Sequence, residues 1–429
     1  MKHPRPITHT VLLWTLIVSL LFSCTGCLSS TPLNRQSIVQ AIGIDYENNE
    51  YTLSFQIFSP SESGGSNIGA SADNAKQVTS KGKTVSEAMS NSVLVQGKRM
   101  FIGQNRVIVI GKSAAEQGLL NAFSYFGGDP AASRNAQILF SQTTASDILC
   151  AKGNQGILPA EMLEQIAENV GESGKIPNIK LFEVLKSADE HDKGVLIPVI
   201  SRISQNAQGK DKTEQIDPIS TVQLTQTAAF TNDGVFRGIF DSVESRGALW
   251  LLNRMRHTKM TVTVPGEYTA ALDLYHIKET LSPVFEQDNI SFHLMISCRA
   301  SLVETLLEKT STPHLSEDIT TRAQSIIADE CSAAWKHSAE LSTDLFQLKR
   351  YIQQKDAKRY NALKNNFDKM LSDCNLTTSI TVAIERYGKE YPPFTADNHA
   401  THTPTLPTVT QPSNRFPADT NPYAQRLLL

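Results

Sequence analysis

Long apolar runs are lacking in this chain. A bilayer-spanning helix needs about 20 apolar residues, and the run at 11–22, "VLLWTLIVSLLF", holds twelve residues with Thr15 and Ser19 among them. An excess of basic charge is lacking too. The 40 Lys and Arg stand against 43 Asp and Glu, and two of the bases, Lys2 and Arg5, precede the apolar run. Such a balance gives no footprint for nucleic acid. Cysteine is sparse, six in 429 residues. Cys150, Cys298, Cys331 and Cys374 are scattered singly, whereas a zinc site needs ligand pairs at short spacing. Buried free thiols are the expectation for these four.

Catalytic signatures are lacking as well. No GxSxG elbow, HExxH or EF-hand loop occurs. "ENVGESGKI" has Gly171, Gly174 and Lys175 in a phosphate-loop-like order. It has Asn169 where the first glycine belongs, Ile176 where Ser or Thr belongs, and a helix before it instead of a strand. His276 and His293 each lie alone on a strand, and the Asp189-Glu190 pair falls in a polar helix end. The sequence supports no reaction, no metal and no cofactor, so the protein is expected not to be an enzyme.

What is present begins at the N-terminus. Lys2 and Arg5 precede the short apolar run, and no acidic residue occurs before Asp45. This is the layout of a secretory signal peptide. The small residues Thr25-Gly26 directly before Cys27 fit a bacterial lipoprotein signal, in which the thiol after the cut carries the lipid. Cys27 is the expected attachment site. Cys24, with Leu21 three residues before it, is the alternative, but Phe22 would crowd the cut. A single acyl chain binds a membrane only marginally, and two or more on one cysteine hold stably. The expected product is a body tethered to the outer face of a cell membrane.

Beyond the leader, apolar periodicity predicts mixed structure. "SIVQAIGIDYENNEYTLSFQIFSP" (37–60) reads as two strands around a turn at 47–50, and 59–74 as a Ser/Gly-rich loop. Thr84 with Glu87 is a capping box, opening a helix with Val85, Ala88, Met89 and Val93 on one face. Ser113 with Glu116 repeats the signature. Strands at "RVIVIG", "RNAQILFSQ" and "GVLIPVIS" alternate with helices at "TTASDILCAK", "PAEMLEQIAENV" and "NIKLFEVLKSADEH", an α/β pattern. Asn232-Asp233-Gly234 marks a hairpin. Long strands and then several helices fill the second half, with "TTSITVAIERYG" as a final strand. The expected fold class is α+β and multi-domain: an N-terminal α/β part followed by an antiparallel-strand-plus-helix C-terminal domain. The expected boundaries are 1–26 leader, 27–201 N-terminal region, 202–218 linker, 219–388 C-terminal domain, and 389–429 a Pro/Thr-rich disordered tail.

In their order and spacing these segments resemble the Ger(x)C family, the lipoprotein C subunits of spore germinant receptors. The resemblance runs from "TGC" through "IVQAIGIDYENNEYTLSFQIF" and "GKTVSEAMSNSVLVQGKRMFIGQNRVIVIGKSAAEQGLLNAFSYF" to "ASDIL". It resumes at "AAFTNDGVFRGIFDSVESRGALWLL" and closes at "ITVAIERYG". It implies a non-enzymatic subunit acting in nutrient-triggered germination with integral membrane A and B subunits, anchored through Cys27 on the outer face of the spore's inner membrane. The family often has His where Gln104 stands and Arg near Gly127-Gly128, departures that bear on receptor subtype. The best-matched positions are Gly43 in "AIGID" and Glu244, Arg246 and Gly247 in "ESRG". Gly43 suits a close approach or a bulge. Glu244 and Arg246 suit either interface charges or a solvated helix start. No ligand-binding residue is singled out. A substrate-binding lipoprotein of a transporter shares the anchor and size and is the alternative. It would show repeated βα units in both halves.

Overall fold

The computed structural model describes residues 11, 12, 14–16, 32–58, 75–151, 158–190, 193–204, 220–286, 289–307, 315–363 and 367–387. The expected loop at 59–74, most of the expected linker and the expected tail fall outside the described residues. After a 3-10 turn at Leu33–Arg35, the first half runs β1 (Gln36–Glu47), β2 (Glu50–Phe58), β3 (Ala75–Gly82), α1 (Val85–Gln96), β4 (Arg99–Phe101), β5 (Val107–Gly111), α2 (Lys112–Glu116), α3 (Leu119–Gly128), β6 (Gln137–Ser141), α4 (Ala145–Leu149), α5 (Pro159–Glu172), α6 (Leu181–Glu190), β7 (Val195–Ser204), β8 (Ser220–Phe230) and β9 (Phe236–Phe240). The rest runs α7 (Ser242–Leu251), β10 (Thr258–Val264), β11 (Tyr268–Glu286), β12 (Asn289–Leu307), α8 (Leu315–Glu340), α9 (Leu348–Lys355), α10 (Ala357–Leu363), α11 (Phe367–Asp373) and β13 (Asn375–Tyr387).

The first sheet has the order β3-β2-β1-β5-β6-β7-β8-β9, with β4 beside the start of β1. Its centre is parallel, and its flanks β3-β2 and β8-β9 are antiparallel. Strand residues alternate between two faces, and here both faces are covered. Ile42, Ile44, Ile108, Ile110 and Phe140 pack with Phe123 and Phe126 of α3. Ala41, Val107, Val109 and Leu139 pack with Ile148 and Leu149 of α4 and Leu163 of α5. Burial on both faces is why the central strands read as continuous apolar runs.

Local signals act largely as the sequence suggests. Asn48 and Asn49 both take positive φ, 52° and 65°, in the two-residue turn between β1 and β2. Thr84 caps α1, accepting from Glu87 N at 3.1 Å, while Glu87 Oε2 accepts at 2.7 Å from Lys83 N, the residue before the cap, so only the Thr84 half of the expected capping box forms. Val85, Ala88 and Met89 of that helix are buried, but Val93 is 37 % exposed and Ser92 takes the inner place. Ser113 is no cap: α2 starts at Lys112 with Gly111 at the cap position, and the Ser113 hydroxyl accepts from Tyr46 N at 3.0 Å. Gly174 of the phosphate-loop-like stretch has φ +66°, and a Cβ there would strike the His257 carbonyl, so it serves chain packing.

β7 and β8, which flank 205–219, pair antiparallel in one sheet. The hairpin β8-β9 therefore belongs with the first sheet, and the change of sheet comes after Phe240. The second sheet has the order β10-β11-β12-β13. β10, β11 and β12 are antiparallel neighbours, and β13 lies parallel to β12. The antiparallel strands plus helices are those expected, and β13 adds one parallel pair to them. A parallel neighbour requires a long crossover, and the segment carrying α8 to α11 provides it. α8 packs on the sheet through Ile319, Ala323, Ile327, Cys331 and Ala334, all fully buried. The two sheets differ in strand number and topology, so the halves are not repeats of one another. Among the described residues no helix is long and apolar enough to cross a membrane.

Candidate functional site

The lipid-attachment candidates Cys27 and Cys24 lie outside the described residues. Of the other cysteines, Cys298, Cys331 and Cys374 are buried free thiols, and Cys150 is free and exposed, contrary to expectation. Among the described residues no group of three or more His, Cys, Asp and Glu could hold a metal ion.

The "AIGID" segment ends β1 against the N-terminus of α4. A Cβ on Gly43 would stand 3.1 Å from both Ala145 Cβ and Leu149 Cδ1, so the glycine lets α4 lie close on the strand. Asp45, 2 % exposed, accepts from Ala145 N at 2.7 Å and Ser146 N at 3.1 Å. It satisfies two of the amides that a helix start leaves open. Burial pushes its carboxyl above the ordinary range, and those two amides pull it back. Sequence reasoning passed over Asp45; an acid inside a strand of Ile, Gly and Ala was the available signal.

Beyond the end of β1 an open depression of about 780 Å³ is lined by Tyr46, Tyr51, Lys83, Asn121, Tyr125 and Asp129, among others. Tyr51 is 7 % exposed and meets Tyr46 edge-on at 4.9 Å between ring centroids. The Tyr125 hydroxyl donates to Asp129 Oδ2 at 2.9 Å, and burial together with that bond pushes the phenol up to about 12. No His or Cys lines the depression. Its surface can donate and accept hydrogen bonds. Ser86 and Tyr125 also line a second depression of about 590 Å³, which adds Met89, Val93 and Leu94 of α1 and Met100 of β4.

The "ESRG" residues meet α8. Asp241 caps α7, accepting from Val243 N and Glu244 N at 2.8 Å each, while Glu244 Oε2 accepts from Asp241 N at 2.8 Å. Glu244 also lies 2.8 Å from His337 Nδ1, and the His337 ring stacks on Phe240 at 4.5 Å. Arg246 Nε is 3.4 Å from Glu330 Oε1, and Trp250 Nε1 donates to Glu330 Oε2 at 3.0 Å. The side chains of Glu244 and Arg246 are only 21 % and 19 % exposed. A Cβ on Gly247 would collide with the backbone carbonyl of Glu330. The motif is thus a helix crossing that joins the first sheet's last hairpin to the helix over the second sheet. Sequence reasoning had no signal for Glu330 or His337, which sit about 80 to 90 residues downstream.

Comparison with known proteins bears on what this arrangement belongs to. The family description "spore germination protein N-terminal domain" matches residues 29–202, and "spore germination B3/GerAC like, C-terminal" matches 225–388. The chain belongs to the Ger(x)C family. Spore germination protein KC of Bacillus subtilis (strain 168) is 24 % identical over 282 residues, covering 63 % of this chain and 69 % of that protein. Spore germination protein YndF of the same organism is 22 % identical over 410 residues, covering 87 % and 96 %. The crystal structure of the GerBC protein shares the fold at a TM-score of 0.51 and 15 % identity, covering 80 % of this chain and 96 % of that one. With these relatives, this Ger(x)C chain has a role in spore germination.

Proposed function

We propose that this protein is the membrane-anchored lipoprotein subunit of a spore germinant receptor, working with integral membrane A and B subunits and performing no catalysis itself. One observation carries the reading. The two Ger(x)C domains follow in family order, the first starting two residues after Cys27, at the end of a lipoprotein-type leader. Acylated Cys27 would hold the body on the outer face of the spore's inner membrane. Tethering raises its effective concentration at the membrane subunits, so modest interfaces suffice. The unlike halves count against a transporter's two-lobed binding protein.

The test is germination of spores lacking this chain beside spores carrying Cys27→Ala, given nutrients or a trigger that bypasses the receptors. The expected result is a lost or weakened nutrient response with the bypass intact in both strains. A normal nutrient response in both, in a strain stripped of its other receptors, would sink the proposal.

A further inference from the structure

The last turn of α1 places three consecutive apolar residues outside the core. Val93, Leu94 and Val95 are 37 %, 84 % and 62 % exposed. Single exposed apolar side chains are ordinary, but a contiguous group is not. Gly97, at φ 70°, ends the helix with its N–H on Val93 O at 2.7 Å and turns the chain into Lys98 and Arg99. Both bases are exposed, as is Arg35. None of the three has a side-chain hydrogen bond or ion pair among the described residues.

Strand register gives this tip an address. β4 starts at Arg99, and Arg99 is the parallel partner of Gln36, the first residue of β1. Gln36 is nine residues after Cys27 in the sequence. Nine residues reach at most about 30 Å when fully extended. A lipid on Cys27 would therefore keep Gln36, and Arg99 beside it, within about 30 Å of the bilayer surface.

We propose that this tip is a docking surface for an anionic bilayer, with Leu94 and Val95 entering the headgroup region and Arg35, Lys98 and Arg99 facing lipid phosphates. The inference rests on the acylation of Cys27 proposed above. Apolar side chains beside bases are the chemistry of interfacial binding. Each base near an anionic surface strengthens binding about fivefold, and the tether makes weak docking sufficient. The contact would fix the orientation of the body on the membrane, which an anchor alone leaves free to swing.

The test uses the full acylated chain in vesicles of phosphatidylcholine with phosphatidylglycerol, its lipid confirmed by mass. Leu94→Trp is compared with Thr263→Trp, at an exposed position on β10, with the emission of the parent chain subtracted. Brominated lipids are expected to quench the tryptophan at 94 and not that at 263. Adding Lys98→Glu and Arg99→Glu should cut the inserted fraction at least fivefold, as should pure phosphatidylcholine. No quenching at 94 in a chain that carries its lipid would overturn the docking and leave the anchor standing. Shielding at 94 only when integral membrane subunits are added would overturn it in favour of a protein interface. A chain without lipid mass would remove both the anchor and this inference.

Discussion

The indole N–H of Trp250 donates to Glu330 Oε2 at 3.0 Å, and Arg246 stands 3.4 Å from the other carboxylate oxygen. Glu330 is 5 % exposed, and burial raises its pKa above the ordinary range while Arg246 and Trp250 oppose the rise. Removing one partner from a buried ionic set costs about 3–5 kcal/mol, because the other charge is left uncompensated. Glu330→Ala should lower stability by about that much, measured by urea denaturation. Glu330→Gln keeps the shape and an acceptor and should cost less. A loss of under about 1 kcal/mol in Glu330→Ala would mean that α7 and α8 are held by packing alone.

Gly247 makes the same crossing possible. Its missing Cβ leaves room for the Glu330 carbonyl, and backbone cannot yield as a side-chain tip can. Gly247→Ala should separate the two helices and cost about 1–3 kcal/mol or more. Thermal unfolding reads this directly. An unchanged midpoint would show that the crossing is looser than described.

Glu279 predicts a pH dependence. It is 7 % exposed on β11, and burial pushes its pKa to about 8 against the opposing Arg256 charge and the Met255 backbone N–H. A raised folded pKa means that the native state keeps a proton the unfolded chain releases. Stability from this group is complete below about pH 4.5, its ordinary value, and is lost as pH rises towards about 8. Denaturation midpoints should fall across that window, and Glu279→Gln should flatten the fall. Identical slopes in parent and variant would contradict the assignment.

Asp45 joins β1 to α4 through two backbone amides. Asp45→Ala should cost about 1–2 kcal/mol, the upper range for a lost helix cap, and should speed hydrogen exchange at Ala145 and Ser146. Unchanged exchange there would mean that the Asp45 carboxylate does not protect those amides.

The features legible beforehand were those written within a few neighbouring residues. The turn at Asn48-Asn49, the Thr84 cap of α1 and the apolar β5 each depend on local φ, side-chain reach or period. The "KQVTSKG" stretch of β3 was not legible. It is a sheet-edge strand with only Val78, Ser80 and Gly82 buried, so its apolar signal is thin. Ser113 with Glu116 imitated a cap, but a tertiary partner, Tyr46 N, claimed the hydroxyl.

The sequence by itself determined the succession of strands and helices and membership of the Ger(x)C family, because these are properties of residue order and local pattern. Tertiary structure alone decided that β13 runs parallel to β12, that Asp45 caps a helix 100 residues away, and that the "ESRG" charges face Glu330 and His337. Each of those depends on which distant segments pack together once apolar faces are buried. Local periodicity shows that a face will be covered; it does not say by what.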